Sequence, residues 1–358
     1  MAFQKVFGTT AGAYGTAANW QAVSVRNAAY AWTASGSGTN EYYLRTVGGT
    51  DPGFAAQPTS VYINAASATE GTVGSLTAGQ WDYGDNDTLG YSTIYVRLSD
   101  GTDPDTKTAG YVAFYQIPQD GESVTIPIDG YGTIAGSDQS AYSIVNFVTE
   151  REWPGTIGSA TSYLFLDPDS VEWNGGAGYI DLGAAATPLR VGGTITPANG
   201  YKSLYVRGSA VTTVDITSGS VGLAGRAGDT FTATTVRVLG GDVLIGSGAT
   251  VTNLDVYSGT TVIRTAATTV NAYGGKLILE AAAAITTINI LGSCEIQYAS
   301  SGNVTTVNQY AGTWDEQRSG STRTVTTYNY YAGRYLRNKE AVTHTTFVNQ
   351  RSIAVSGS

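Results

Sequence analysis

The sequence predicts an all-β protein: an N-terminal β-sandwich-like domain followed by a parallel β-helix or β-solenoid rod of short coils, ~19 residues each. Three observations predict it. Between Val211 and Ser352 one phrase recurs eight times: threonine, usually a second threonine, an apolar anchor, then glycine or serine five residues past the anchor. The 358 residues include 46 glycines and 24 tyrosines, with 42% hydrophobic and only 13% charged residues. That balance argues against disorder and, with threonine and valine, favours strands. Finally, the longest run of helix formers, Leu279 to Ala284, is too short to stand as a helix.

The anchors are Val214, Val236, Leu254, Val270, Ile288, Val307, Tyr328 and Phe347, at steps of 22, 18, 16, 18, 19, 21 and 19. Threonine stands two before each of them, from Thr212 to Thr345, and Gly219, Gly241, Gly259, Gly275, Ser293, Gly312, Gly333 and Ser352 stand five after. A fixed phrase at such a step is what stacked coils produce. Steps this uneven depart from a left-handed hexapeptide helix and fit a right-handed parallel β-helix or a three-chain β-prism.

Side chains alternate along a strand, so positions −2, 0 and +2 from the anchor are expected to face the core. The outward face then carries three rows. Position −1 is mostly threonine, +1 runs from Asp215 and Arg237 through Asp255, Asn271, Asn289, Asn308 and Asn329, and +3 holds Leu239, Tyr257, Tyr273, Leu291, Tyr310 and Tyr331. With coils at strand spacing each row is a ladder of like residues about 4.8 Å apart, and eight coils span on the order of 35–40 Å. Tyr257, Tyr273, Leu291, Tyr310 and Tyr331 form an aromatic strip, and a strip that long is rarely left in water. It fits burial between chains of a homo-oligomer, a simple cover for the sheet, or a platform for sugar rings. In the last coils Trp314, Tyr328, Tyr330, Tyr335 and Phe347 replace valines, and coils so short leave little room for such rings. This favours sharing them among three chains near the C-terminus.

Before the rod, residues 1–118 read as a compact attachment domain with a duplicated strand-turn unit. Tyr43-Leu44-Arg45 with Gly49-Thr50-Asp51-Pro52 returns, displaced by 52 residues, as Tyr95-Val96-Arg97 with Gly101-Thr102-Asp103-Pro104. Alternation of Ser92, Ile94, Val96 and Leu98 against Tyr91, Thr93, Tyr95 and Arg97 predicts one buried face. Residues 119–200 read as an irregular β connector or cap, with an edge strand at Val124-Thr125-Ile126-Pro127-Ile128 and with Trp153 and Trp173 sealing the mouth of the rod. Residues 201–358 are the rod.

The residue types exclude several functions. A net charge of −9 argues against a nucleic-acid partner. The basic tract of Arg318, Arg323, Arg334, Arg337, Lys339 and Arg351 is broken by Asp315, Glu316 and Glu340 and reads as a solvated surface. Cys294 has no partner for a disulfide and suits a small buried site. No stretch approaches transmembrane length, and Met1 to Lys5 lacks the apolar core of a signal peptide, so synthesis in the cytoplasm and no membrane partner are expected. Asp85-Asn86-Asp87 and the trio Asp100, Asp103 and Asp105 could face calcium, but turn formation accounts for both, and no metal or cofactor is expected. Gly175-Gly176-Ala177-Gly178 lacks the lysine of a phosphate loop. Glycoside hydrolysis needs paired carboxyls, and Asp215 and Asp255 have Arg237 between them, which makes a surface charge ladder. His344, the only histidine, occupies the apolar −3 position and is expected to pack. No catalytic residues, and no enzyme, are expected.

The layout resembles virion proteins of tailed bacteriophages, which pair a leaderless N-terminal β-domain with a β-helical or β-prism rod. The eight Thr-Thr-apolar phrases, Asn19-Trp20 and Asn40-Glu41-Tyr42-Tyr43-Leu44-Arg45 carry the resemblance. It implies a homotrimer located in the virion, anchored by its N-terminal domain to other virion proteins such as major capsid or tail proteins. The leading expectation is therefore a non-enzymatic structural protein, a head decoration or a fibre. A receptor-binding spike recognising cell-surface glycan is the second, and a bacterial adhesin or ice-binding solenoid the third.

Overall fold

A computed structural model describes residues 4–7, 12–13, 20–21, 30–46, 57–84 without 59 and 65, 93–107, 111–115, 118, 121, 123–128, 132–195 without 185, and 202–350 without 319–321. The chain forms two compact units, Met1–Val124 and Thr125–Ser358. Every regular element described is a strand except one 3-10 turn, Pro104–Thr106.

In the first unit Tyr30–Ala34, Tyr42–Thr46, Thr93–Arg97, Gln80–Gly84 and Thr69–Glu70 form one sheet in that order. Val112–Tyr115, Ser60–Ile63 and Ala66–Ser67 form a second. Leu44, Trp81, Ile94, Val96 and Leu98 of the first sheet and its flank pack with Val61 and Ile63 of the second, the sandwich-like core. The duplicated strands are antiparallel neighbours: Tyr43 lies opposite Tyr95, with ring centroids 5.8 Å apart. The expectation of a single buried face is corrected here. Thr93, Ile94, Tyr95 and Val96 are all buried, because Tyr43, Tyr95 and Leu76 build a second small core on the other side. Ser92, Tyr91 and the Gly49–Pro52 turn lie outside the described residues.

In the second unit each coil is a long strand, a glycine turn, a short strand and a return turn. The long strands Phe231–Val238, Ala249–Val256, Ala267–Ala272, Ile285–Ile290, Val304–Gln309, Arg323–Tyr330 and Val342–Asn349 stack in parallel. Their register sets Val214, Val236, Leu254, Val270, Ile288, Val307, Tyr328 and Phe347 in one column. The short strands stack likewise, aligning Val221, Val243, Thr261, Leu277, Ile296 and Trp314.

The stack begins earlier than the repeated phrase. Phe147, Val171, Leu189 and Val214 continue the anchor column downward at steps of 24, 18 and 25 residues. Segment 119–200, read as an irregular connector, thus contains coils whose uneven length and lack of paired threonines hide them. Trp153 and Trp173 do not seal a mouth. Both are fully buried, and Trp173 has Thr149 paired on one side and Val191 on the other.

Paired threonines mark a corner. In every coil with the phrase the −3 and −1 residues have register partners while the −2 threonine has none, as at Ala233, Thr235 and the intervening Thr234. The strand bends there and two successive side chains point outward. Thr212, Thr234, Thr252, Thr268, Thr286, Thr305, Thr326 and Thr345 are consequently exposed, which corrects their assignment to the core. The inward set is −3, 0 and +2, as in Val251, Leu254 and Val256.

The glycine five past the anchor is held by two constraints. Gly259 has φ +77, and a Cβ there would lie 2.2 Å from the carbonyl oxygen of Gly241 in the preceding coil. Ser293 replaces glycine where the turn is one residue longer, the next strand starting at Glu295. Ser352 lies outside the described residues.

Candidate functional site

The outward face of the long strands is the most regular surface of the second unit. Its +3 row continues the backbone ladder past the strand ends: the amides of Leu239, Tyr257, Tyr273, Leu291, Tyr310 and Tyr331 each donate to the +2 carbonyl one coil below, at 2.8–2.9 Å. Fixed backbone spacing fixes the side chains. Tyr257 and Tyr273 stack with centroids 4.6 Å apart and planes 3° from parallel, and Tyr310 and Tyr331 do so at 4.4 Å and 11°. Leu291 stands between the two pairs. Leu239, Tyr257, Tyr273, Leu291 and Tyr310 are 39–45% exposed, and Tyr331 is half-buried. Desolvation against the stack, then the neighbouring phenol, pushes the Tyr273 and Tyr310 hydroxyls above the usual tyrosine range.

Beside the strip runs a ladder of side-chain amides. Asn271 donates to Asp255, Asn289 to Asn271, Asn308 to Asn289 and Asn329 to Asn308, each at 2.8 Å. At its lower end Arg237 grips Asp215 through two hydrogen bonds, 2.6 and 3.0 Å, rather than bridging to Asp255. The threonine corner forms a further feature, a shallow groove of about 410 Å³ walled by Thr252, Thr268, Thr286 and Thr305.

The last coils hold an interior polar network that the sequence reading assigned to solvent. Glu316 is fully buried, with Oε1 accepting from Trp314 Nε1 at 2.9 Å and lying 2.8 Å from His344 Nε2. Its Oε2 accepts from Tyr335 at 3.1 Å and from the Asn338 amide at 3.3 Å. Arg323, buried too, donates to the carbonyls of Tyr298 and Glu316 and lies 4.3 Å from the Tyr298 ring centre. The solvated-tract reading is therefore wrong for Glu316, Asp315 and Arg323; Arg351 lies outside the described residues. Glu316 stands nine residues past Val307, in phase with the inward Leu223, Ile245, Ile263 and Leu279, and that spacing was the signal available. His344 packs, as expected, with its side chain 1% exposed.

The shortage of room expected for aromatic rings in the late coils does not hold for Trp314 and Tyr328, while Phe347 is 41% exposed. Tyr298, Trp314 and Tyr328 are fully buried within one chain, and Tyr328 stacks on Tyr335 and Phe347 at 4.9 and 5.3 Å. Polar side chains at inward positions make the room: Gln309 occupies the +2 site and accepts from the Tyr328 hydroxyl.

The acidic trio in the first unit serves local structure. Asp100 accepts from Thr102 and pairs with Lys107, which holds its carboxyl below the usual range. Asp103 caps the 3-10 turn through the Asp105 amide at 2.9 Å, and Asp105 accepts from the Trp32 amide at 3.0 Å. Asp85-Asn86-Asp87 lies outside the described residues. Among the described residues no three His, Cys, Asp or Glu side chains are grouped to hold a metal, and no helix is long and apolar enough to cross a membrane. Burial pushes the Cys294 thiol up to about 11, so it stays protonated near neutrality.

Comparison with protein-family models, with curated proteins and with solved structures finds no match. The geometry itself indicates what the face can do: present a periodic set of phenols and side-chain amides on strands whose +3 backbone amides are already hydrogen-bonded.

Proposed function

We propose that this protein is a non-enzymatic structural component of a bacteriophage particle, a capsid-decorating or fibre protein. Its solenoid is the scaffold and its N-terminal unit the attachment module. The observation that carries this reading is the unbroken register: eight anchors share one column, and the outward rows repeat beside them coil after coil. A uniform stack resists bending and shear because every coil is hydrogen-bonded to both neighbours. The outward acids serve the ladders, Asp215 bound by Arg237 and Asp255 by Asn271, which suits a scaffold better than an acid–base pair. The resemblance in layout to tailed-phage virion proteins supplies the particle.

The stacked tyrosines support a packing face over a sugar platform. Sugar rings stack on open aromatic faces, whereas Tyr257 and Tyr273 each cover one face of the other, their planes 3° from parallel. The test is recovery of the polypeptide, at a fixed copy number, from gradient-purified particles whose genome encodes it beside capsid or tail genes. Its absence from such particles contradicts the proposal. Specific binding of host polysaccharide, lost in Tyr273→Ala and Tyr310→Ala, would move the assignment to a receptor-binding spike.

A further inference from the structure

We propose that the tyrosine strip is a self-complementary interface on which a second copy of this chain packs antiparallel, about a twofold axis passing through Leu291. This rests on reading the solenoid as a scaffold and names the partner of its outward face. Along the rod the +3 row reads Leu239, Tyr257, Tyr273, Leu291, Tyr310, Tyr331, Gln350. Its central five residues have the same order from either end, and Leu239 falls level with Gln350. Each coil rises about 4.8 Å, so Tyr273 and Tyr310 stand one coil from Leu291, and Tyr257 and Tyr331 about 9.6 Å from it. A twofold axis at Leu291 sets Tyr273 of one copy level with Tyr310 of the other, and Tyr257 level with Tyr331. In such an isologous pair, residue i meets j and j meets i.

The flanking rows fit the same operator. About Asn289 the +1 row sets Asn271 level with Asn308 and Asp255 level with Asn329, so the lone carboxylate of the central five coils meets an amide. A parallel assembly, including the threefold one the resemblance implies, holds identical residues at equal heights whatever their order, so only an antiparallel pair makes use of a row that reads alike in both directions. On the other flank the +4 residues Ser258, Gly274, Gly292, Ala311 and Ala332 are small, and a partner can approach closely. Tyrosine-rich and depleted of charge, the face has the composition of an interface core. Leu239, Tyr257, Tyr273, Leu291 and Tyr310, at 39–45% exposure, offer on the order of 400 Å² together. With the amide row and the small-residue row added, the face approaches the ~800 Å² per partner of a stable complex.

The test is disulfide trapping in the full chain, whose native Cys294 is buried, alongside measurement of molecular mass. The expected result is a dimer at micromolar concentration. Leu291→Cys should then cross-link to itself, and the double variant Tyr257→Cys/Tyr331→Cys should trap dimer, while Tyr257→Cys alone should trap little. Leu291→Glu, at an exposed position that leaves the fold intact, should weaken dimerisation at least tenfold. A monomer, a trimer, or efficient self-linking of Tyr257→Cys alone overturns the proposal. None of those outcomes touches the scaffold reading, which fails on absence from particles instead.

Discussion

The coils from Val236 to Val270 and those from Val307 to Phe347 share one backbone repeat and fill it in opposite ways. In the first group the inward positions are aliphatic except at Thr261: Val236, Val238, Leu254, Val256, Val270 and Ala272 are buried in the long strands, and Val243, Ile245, Ile263, Leu277 and Leu279 in the short ones. In the second they are aromatic and polar, with Trp314, Tyr328, Gln309, Glu316, Arg323 and His344 joined by hydrogen bonds and ring stacking. The outward ladders hardly change between them. Backbone register and corner geometry define this fold, and the core accepts any filling that is dense and satisfied.

The difference is sharpest at Glu316. Glu316→Ala strips partners from Trp314, Tyr335 and His344 at once and should cost about 3–5 kcal/mol. Hydrogen exchange should show the loss confined to the coils after Val307; equal loss around Leu254 would mean the two regions are one cooperative unit. In the aliphatic group the backbone is the sensitive element. Gly259→Ala combines φ +77 with a 2.2 Å approach to the Gly241 carbonyl oxygen and should cost about 2–3 kcal/mol, seen as a lower denaturation midpoint.

Alkaline pH should separate the regions without any mutation. Desolvation pushes Tyr298 up to about 12, and raises Tyr328 and Tyr335 as well, while unfolded tyrosines titrate near 10. Above pH 10 the unfolded chain therefore holds fewer protons than the folded one, and stability falls as pH rises. Tyr298 alone should remove about 1 kcal/mol by pH 11. The late coils should lose protection first, and early loss around Val236 to Val270 would contradict the assignment. The smallest effect is a gain. Thr261 is fully buried with no partner for its hydroxyl, between Val243 and Leu277, so Thr261→Val should stabilise by about 1 kcal/mol, raising the melting temperature.

The rod was legible in the sequence because its corner and its turn demand particular residues. Two outward side chains in succession wrote Thr-Thr, and stacked left-handed turns wrote glycine. The strip of Tyr257, Tyr273, Leu291, Tyr310 and Tyr331 followed from the same count. The coils at Phe147, Val171 and Leu189 escaped because they lack that phrase and their steps vary. The threonines went to the wrong face because strict alternation holds only along an unbent strand. Burial of Glu316 and Arg323 escaped for a different reason: charge outweighed phase in the reading, whereas in the molecule hydrogen bonds to Trp314, Tyr335 and the Tyr298 carbonyl offset the loss of water.

The stack itself is most directly tested by distances between spin labels on the exposed threonine corners. Labels on Thr234 and Thr286, three coils apart, should show backbone separations of about 14 Å, and on Thr234 and Thr326, five coils apart, about 24 Å. Growth of the distance by about 4.8 Å per coil is the predicted result. Separations that do not scale with the number of coils between the labels would contradict a chain wound about a single axis.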